Sequence, residues 1–482
     1  MVKRVIDPVK DKAPSRSKDE HVNKRAKGST TRKVHTPSPF NRTEAGKLMT
    51  FGMGDNNQLG YPTNAGGRKK PYIIPTTADI DFVQVECGGM HTAALSSEGK
   101  VYTWGVNDEG ALGRKGPEAV PILVEGELAE KTVVQVSCGD SHTAFLCSDG
   151  SVYHCGIFRA KDGKFGLQYD NPDKKSVPLP VQVTLVPGRH DSKPYVIKIV
   201  SGADHVVALT DSGDVYTWGC PEQGRLGRSF KLGDVDDMRF SSLIRESCKG
   251  VKVFSLKDLT MDGFTYKVVN IAAGAYHSFA QLESTYDKTD TKLFAWGANN
   301  KGQSGLGNDQ IKDVDAEGGT DRYRPVEVTL CPLPVTMLAA GNAFSIALVQ
   351  KSVYATGKGE DGVLGNNSES HSMGDDGVNT WVSTHVPTHV TPKEISCGTE
   401  VSYILTTDGD VYAWGFGENL QLGNAEKVDE PTDSLLVPTL LDGHQLTNRK
   451  VLQISAGGQH TALIAKGPGP PPRDAPAATK AK

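Results

Sequence analysis

A closed all-β ring of seven blades, a seven-bladed β-propeller, is the fold this sequence predicts. Three observations carry it. One two-part pattern recurs seven times between residues 47 and 466, the body opens on the second half of that pattern and closes on the first half, and the copies turn on a Glu-Gly or Asp-Gly hairpin.

The pattern is fullest in residues 85–113, VECGGMHTAALSSEGKVYTWGVNDEGALG. Its first half is a strand ending in Gly-x-x-His, found as Gly88 with His91, Gly139 with His142, Gly202 with His205, Gly274 with His277 and Gly457 with His460. Two degenerate copies complete the set: Gly341 is followed by Phe344 and Gly398 by Val401. The second half, an acidic-Gly turn, then V-Y-x-W-G and a loop ending in Leu-Gly, reaches its WG-type glycine at Gly52, Gly105, Gly156, Gly219, Gly297, Gly357 and Gly415. Successive spacings of 53, 51, 63, 78, 60 and 58 residues lie above the roughly 40–45 of WD repeats, so the long intervals hold insertions.

Within a copy, the period-2 runs HTAALSS and KVYTW flank Glu98-Gly99, and Asp149-Gly150 and Asp408-Gly409 stand at the same place in other copies. That alternation about a glycine turn is the signal of an antiparallel hairpin. A single small sheet cannot cover both of its faces, so neighbouring copies must pack face to face, and radial closure removes the exposed edges. The residues Leu48-Met49-Thr50-Phe51-Gly52 are an end without a start, and residues 457–466 are a start without an end. Joined, they make the seventh blade, which favours a closed ring over a solenoid with polar caps.

Of the 482 residues 37% are hydrophobic, which excludes wholesale disorder. No run approaches the roughly eighteen apolar residues of a membrane span, and the first thirty residues lack a secretory apolar stretch, so a soluble, non-exported protein with no membrane partner is expected. The eight cysteines stand singly, with no C-x-x-C pair, as befits small core residues in a reducing compartment. Charge is unevenly placed. Residues 1–46 hold 12 Lys/Arg against 5 Asp/Glu, residues 467–482 hold 3 against 1, and the body between them carries the balance, −13 of the net −4. The boundaries expected are therefore a disordered basic arm over 1–46, the propeller over 47–466 and a Pro-rich tail over 467–482. The clusters Lys3-Arg4 and Lys24-Arg25-Ala26-Lys27 suit nuclear import and nucleic-acid contact, the alternative being an inert solvated tail. Thr36-Pro37-Ser38-Pro39 adds two hydroxyls where a phosphate would subtract roughly 1.5–2 charges.

Candidate chemistry is sparse. Gly139-Asp140-Ser141-His142 offers Ser and His to an esterase, but adjacent residues of a β segment point to opposite faces. The stretch from Gly297 to Ser304 has P-loop spacing with Gln303 where the phosphate-binding Lys belongs. No metal-ligand cluster or spaced acid/base pair stands out, so neither a cofactor nor covalent catalysis is expected. The repeated histidines and Trp104, Trp218, Trp296 and Trp414 should be scaffold, since symmetry implies one shared task. Asp140 and Asp204 differ: they sit beside the repeat histidine where other copies have Gly, Ala, Tyr or Gln, and the choice between an interface carboxylate and a loop cap stays open.

The stretches CGGMHTAALSSEGKVYTWGVNDEGALGR, CGDSHTAFLCSDG, SGADHVVALTDSGDVYTWGCPEQGRLGR, DGDVYAWGFGENLQLG and SAGGQHTALIAK resemble the regulator of chromosome condensation family across the whole body. Within that family the basic arm and a counterpart of the protruding β-wedge, residues 156–167 followed by Lys174-Lys175-Ser176-Val177-Pro178, are most similar to the chromatin-bound guanine-nucleotide exchange factors for the small GTPase Ran. The resemblance implies exchange of GDP for GTP on Ran without covalent chemistry, a nuclear, chromatin-associated location, and Ran, DNA, the acidic patch of the histone dimer on the nucleosome and a nuclear import receptor as partners. It implies Ran-facing roles for Asp55, His91, Asp140, Arg159, Asp204 and His460, and for Phe158, Asp162, Gly163, Phe165 and Leu167 of the wedge. Arg239 and Arg245 align with the family's chromatin-facing loop, although Asp234, Asp236 and Asp237 dilute its basic character. Ala343 and Phe344 depart from the usual histidine pair. The alternative is a propeller adaptor that only gathers other proteins; the wedge and arm count against it.

Overall fold

The structure is a computed structural model and describes residues 38–62, 66–161, 163–167, 176–187, 193–228, 247–254, 258–261, 263–307, 324–370, 380–425 and 434–470. Seven sheets, antiparallel except for the parallel pairing of Leu185–Val186 with Gly250–Lys252 in blade three, form the ring of blades that the repeat predicts; five have four strands and two carry a fifth. The first blade runs Phe82–Cys87, His91–Ser96, Val101–Gly105 and Ile122–Leu123 from the channel outwards. Blades two to six begin with Val133–Cys138, Val196–Ser201, Phe264–Ala273, Met337–Ala340 and Pro392–Cys397. Blade seven is built from both ends of the body. Lys450–Ala456 and His460–Lys466 pair with Lys47–Met53, which pairs in turn with Gly67–Ile73. The closing register places Lys47 opposite Ala465 and Gly52 opposite His460.

Each apolar cluster joins two neighbouring blades, because each sheet has two faces to cover. Leu48 and Ile464 of blade seven meet Phe82, Val85 and Trp104 of blade one, while Met49 and Phe51 on the other face meet Tyr403, Leu405 and Val411 of blade six. The hairpin turns require their glycines: Gly99 has φ +75°, and a Cβ there would lie 2.7 Å from the Thr132 methyl. The four repeat tryptophans are at most 2% exposed, and all eight cysteines are free thiols, six of them buried.

The sequence reading placed residues 1–46 in a disordered arm, and for its last nine residues the structure shows otherwise. Ser38 Oγ donates to Ile197 O of blade three (2.5 Å), Arg42 makes an ion pair with Glu394 of blade six (2.8 Å), and Gly46 exchanges backbone hydrogen bonds with Phe82 of blade one. The partners lie 159 and 352 residues away for Ser38 and Arg42, so no local composition could announce them. Residues 1–37 and 471–482 lie outside the described residues, and with them Lys3, Arg4, Lys24, Arg25 and Lys27. No helix among the described residues is long and apolar enough to cross a membrane.

Candidate partner-binding face

Seven glycines ring one face of the channel: Gly88, Gly139, Gly202, Gly274, Gly341, Gly398 and Gly457. A Cβ on any of them would come within 3 Å of the next blade's glycine carbonyl, and the last, Gly457, meets Gly88. The residue three places on in each copy packs against the same spot, which is why the repeat reads Gly-x-x-His. Four histidines bridge to a hydroxyl on the following blade: His91 Nε2 to Thr143 (2.9 Å), His460 to Thr92 (2.7 Å), His205 to Ser278 (2.7 Å) and His277 to Ser345 (2.7 Å). Burial keeps these rings neutral, lowering His91 to about 4 and His277 and His460 to about 3. His91 and His460, expected to face a partner, are 1% and 0% exposed. Their imidazoles are scaffold, sealed between blades.

The interface between blades two and three breaks the rule. Val206 stands where the other blades present a hydroxyl, and His142, fully buried, has no hydrogen-bond partner for either nitrogen among the described residues. Trp104, Trp296 and Trp414 donate to loop carbonyls of the preceding blade at 2.8–3.1 Å, but Trp218 Nε1 has no partner among the described residues. Here the ordinary loop of blade two is replaced by a hairpin, Phe158–Ala160 with Gly163–Gly166. Its roots fill the interface: Phe158 and Leu167 are 0% and 1% exposed, and Phe158 lies edge-on to His142 with ring centroids 4.8 Å apart. Both were expected on the partner-facing surface; they instead anchor the hairpin. Gly163, at the tip, is exposed with φ +121°. Asp162, the side chain of Phe165, Arg239 and Arg245 lie outside what the structure describes.

Blade three grips this hairpin through its backbone. Asp204 Oδ1 accepts from Arg159 N (2.6 Å), and both Glu222 carboxylate oxygens accept from Lys161 N (3.1 and 3.0 Å). Arg159 lies in the strand and Lys161 opens the turn that follows it, so two carboxylates cap backbone N–H groups two residues apart on the hairpin. The Arg159 side chain reaches back to Ser141 Oγ and Glu109, each at 3.1 Å. Beneath, Arg225 lies 3.5 Å from Asp204 Oδ2, donates to Glu222 O and covers the Tyr276 ring at 4.8 Å. Desolvation raises Asp204 to about 6, with Asp140 adding to the rise and the Arg159 N–H and the charges of Arg225 and Arg159 opposing it. Asp140 lies at the channel rim and is exposed there, yet the surrounding loops desolvate it and push its carboxyl upward, against Arg225 and Arg159. Its carboxylate makes no hydrogen bond or ion pair among the described residues.

Three places after each WG-type glycine the loops present Asp55, Asp108, Glu222, Asn300, Glu360 and Glu418, and in blade two Arg159. The face is therefore an acidic rim of five carboxylates, broken by the neutral Asn300 and by Arg159 at the hairpin. Asp55 is exposed on it. Sequence reasoning missed Arg225, Glu222, Glu109 and Tyr276. A signal existed for Arg225, which replaces the Gln58, Ala111, Gln303, Val363 or Gln421 of its sister loops.

The RCC1-like domain profile matches residues 47–463, the blades themselves. The chain belongs to the regulator of chromosome condensation family. It is 37% identical over 445 residues to the human protein named Regulator of chromosome condensation, covering 90% of this chain and 94% of the relative. It is 27% identical to the Saccharomyces cerevisiae Guanine nucleotide exchange factor SRM1, covering 86% of each chain. Among solved structures it is similar to Prp20p of Saccharomyces cerevisiae, described with its binding properties to Gsp1p and histones (TM-score 0.70, 26% identity, 89% of this chain and 93% of that one). A second structure, of yeast RCC1 (Prp20) with Kap60 bound to it, gives a TM-score of 0.71 at 25% identity, with 94% of this chain and 96% of that one covered. No group of three or more His, Cys, Asp or Glu among the described residues could hold a metal ion.

Proposed function

We propose that this regulator of chromosome condensation family member is a guanine-nucleotide exchange factor for a Ran-type small GTPase, working in the nucleus at chromatin. The observation that carries the reading is the hairpin held by its backbone to Asp204 and Glu222 on an acidic rim. Exchange needs no bond to be made or broken in this protein. It needs a surface that binds the nucleotide-free GTPase best. Each tenfold by which exchange factor and nucleotide weaken one another corresponds to about 1.4 kcal/mol of coupling, and the weakening is reciprocal.

The acidic rim attracts a basic partner surface, with the free carboxylate of Asp140 and the exposed Asp55 as acceptors. The hairpin, rigid because two of its amides are capped, presses on the partner's nucleotide site; a hairpin free to swing would give way instead. Asp204 and Glu222 are thus positioning residues. The basic clusters at Lys3-Arg4 and Lys24–Lys27, with Arg239 and Arg245, supply contacts to DNA and the histone acidic patch, and the arm serves an import receptor, as the Prp20 neighbours support.

Release of fluorescently labelled GDP from Ran, with and without the full chain, tests this directly. Acceleration by several powers of ten is expected. Glu222→Gln, which weakens the cap on Lys161 N, should slow release about tenfold while leaving capture of nucleotide-free Ran intact. No acceleration by the wild-type chain at micromolar concentration would reject the exchange reading.

A further inference from the structure

The channel holds a cavity of about 730 Å³ whose lining runs from the glycine ring along the inner strands, and Pro39, Phe40, Asn41 and Arg42 line it as well. Residues 38–42 form a strap that spans the ring. At one end Ser38 Oγ donates to Ile197 O of blade three and accepts from Phe40 N (3.2 Å), while Ser38 O accepts from Asn41 N (3.1 Å). Phe40 lies under Lys198, whose Nζ is 4.8 Å from the ring centroid. At the other end Arg42 is held by both Glu394 oxygens, at 3.3 and 2.8 Å, and reaches Leu452 O of blade seven at 3.5 Å. Ser38 is also the hydroxyl of a Ser-Pro dipeptide, directly after Thr36-Pro37.

We propose that Ser38 is a phosphorylation site for a proline-directed protein kinase, and that its phosphate unseats the strap from the channel. In the transfer, Ser38 Oγ attacks the γ-phosphorus of the kinase's ATP, the bond from that phosphorus to the bridging oxygen of ADP breaks, and the hydroxyl proton passes to the kinase's base. The product has no hydroxyl hydrogen for Ile197 O. It puts about 1.5–2 negative charges against that carbonyl in its place. The ammonium of Lys198, the residue next to Ile197, is already committed to Asn270 Oδ1 (2.6 Å) and Ile271 O (2.8 Å), and turning it towards a phosphate would uncover Phe40. Blade three loses that hydrogen bond and keeps only the contact of Lys198 with Phe40, and Arg42 becomes the strap's remaining side-chain polar tether. Linkage runs both ways: if the phosphate favours the released strap, loosening the strap favours phosphorylation. The switch stands on the strap's own contacts and does not depend on the exchange reading.

The test uses the full chain in a Thr36→Ala background, so that Ser38 is the one Thr/Ser-Pro hydroxyl in that stretch, with a purified proline-directed kinase and ATP. Mass spectrometry locates the phosphate, and hydrogen exchange follows the amides of Phe40, Asn41 and Gly46. Phosphorylated chain should exchange at Phe40 and Asn41 about tenfold faster than unmodified chain, with Gly46 unchanged because its bonds to Phe82 lie beyond the tether. Glu394→Gln, which loosens the far end, should accept phosphate at Ser38 several-fold faster than its parent. Ser38→Ala should exchange faster at Phe40 and show no response to kinase. Absence of phosphate on Ser38 even in the Glu394→Gln chain overturns the site. Phosphate on Ser38 with unchanged or slower exchange, as recruitment of Lys198 would produce, overturns the release.

Discussion

Replacing Thr143 by Val, and Val206 by Thr, interchanges the chemistry of two structurally equivalent positions on neighbouring blades. Thr143 is fully buried, and its hydroxyl sits 2.9 Å from His91 Nε2 and 2.7 Å from Ala111 O. Valine keeps the shape and strands both partners; at roughly 1–3 kcal/mol for each buried group left unsatisfied, Thr143→Val should cost about 2–6 kcal/mol. Val206→Thr runs the other way. His142 already bears the desolvation of two nitrogens without a partner among the described residues, and a hydroxyl at 206 would satisfy one, a net gain of roughly 0.5–1.5 kcal/mol less the cost of burying the new oxygen. The sum is between zero and about 1 kcal/mol of stabilisation. Equilibrium urea unfolding followed by tryptophan fluorescence gives both values, provided the slopes match wild type. A His142→Phe background supplies the control, since Phe344 occupies the equivalent site of blade five, and there Val206→Thr should lose its benefit. The reasoning fails if Thr143→Val lies within 0.5 kcal/mol of wild type, or if Val206→Thr destabilises equally with and without His142.

Acid should weaken the ring: His91, His154, His277 and His460 are held neutral, at about 4 or 3, while the unfolded chain takes up protons below about 6.5. Stability is therefore complete above that value and lost as pH falls, by about 1.4 kcal/mol per histidine at pH 5.5, with Asp204, raised to about 6, offsetting roughly 1 kcal/mol in the opposite sense; identical urea midpoints at pH 7.5 and 5.5 would contradict this. Phe51→Ala in the closing strand, a fully buried ring packed on blade six, should cost about 3–5 kcal/mol and lower the single melting transition of the whole ring, whereas a separate early transition would show that blade seven opens alone. Asp204→Ala should slow exchange on Ran about as much as Glu222→Gln does, since both act through the hairpin; normal rates would remove the carboxylate grip from the mechanism. Removing residues 1–37 should leave exchange on free Ran intact and flatten the salt dependence of nucleosome binding by about 0.9 in log–log slope per lost phosphate contact, an unchanged slope excluding the arm as a tether.

The blades were legible because each repeat residue serves a repeated contact. Gly-x-x-His marks a glycine that must admit a neighbour's carbonyl and a ring, and the WG tryptophan marks a donor to the preceding loop, so periodicity in sequence mirrors periodicity in space. The partner face was only half legible. Departure from the repeat singled out Asp204, but its acceptor bond to Arg159 N spans 45 residues and joins different blades, so the sequence showed an exception without showing its object. Glu222 hid for the opposite reason: it conforms to an acidic position shared by its sister loops, and only the hairpin beside it gives it a distinct task. The strap was invisible because Ser38, Phe40 and Arg42 sit in a segment whose composition matches the arm before it.

The closing blade sets a timetable for synthesis. Lys47–Met53 leaves the ribosome about 400 residues before its partner His460–Lys466. At roughly 5–20 residues per second the first strand, with Leu48, Met49 and Phe51 exposed, waits on the order of 20–80 seconds for its mate. During that interval six blades can stack, but the nascent chain carries an unpaired apolar edge at its head, the kind of surface that recruits other chains. A ribosome stalled between the two strands, before His460, therefore releases an open arc and not a smaller ring, and a chaperone that shields Leu48 and Phe51 would have its greatest effect on yield in this window.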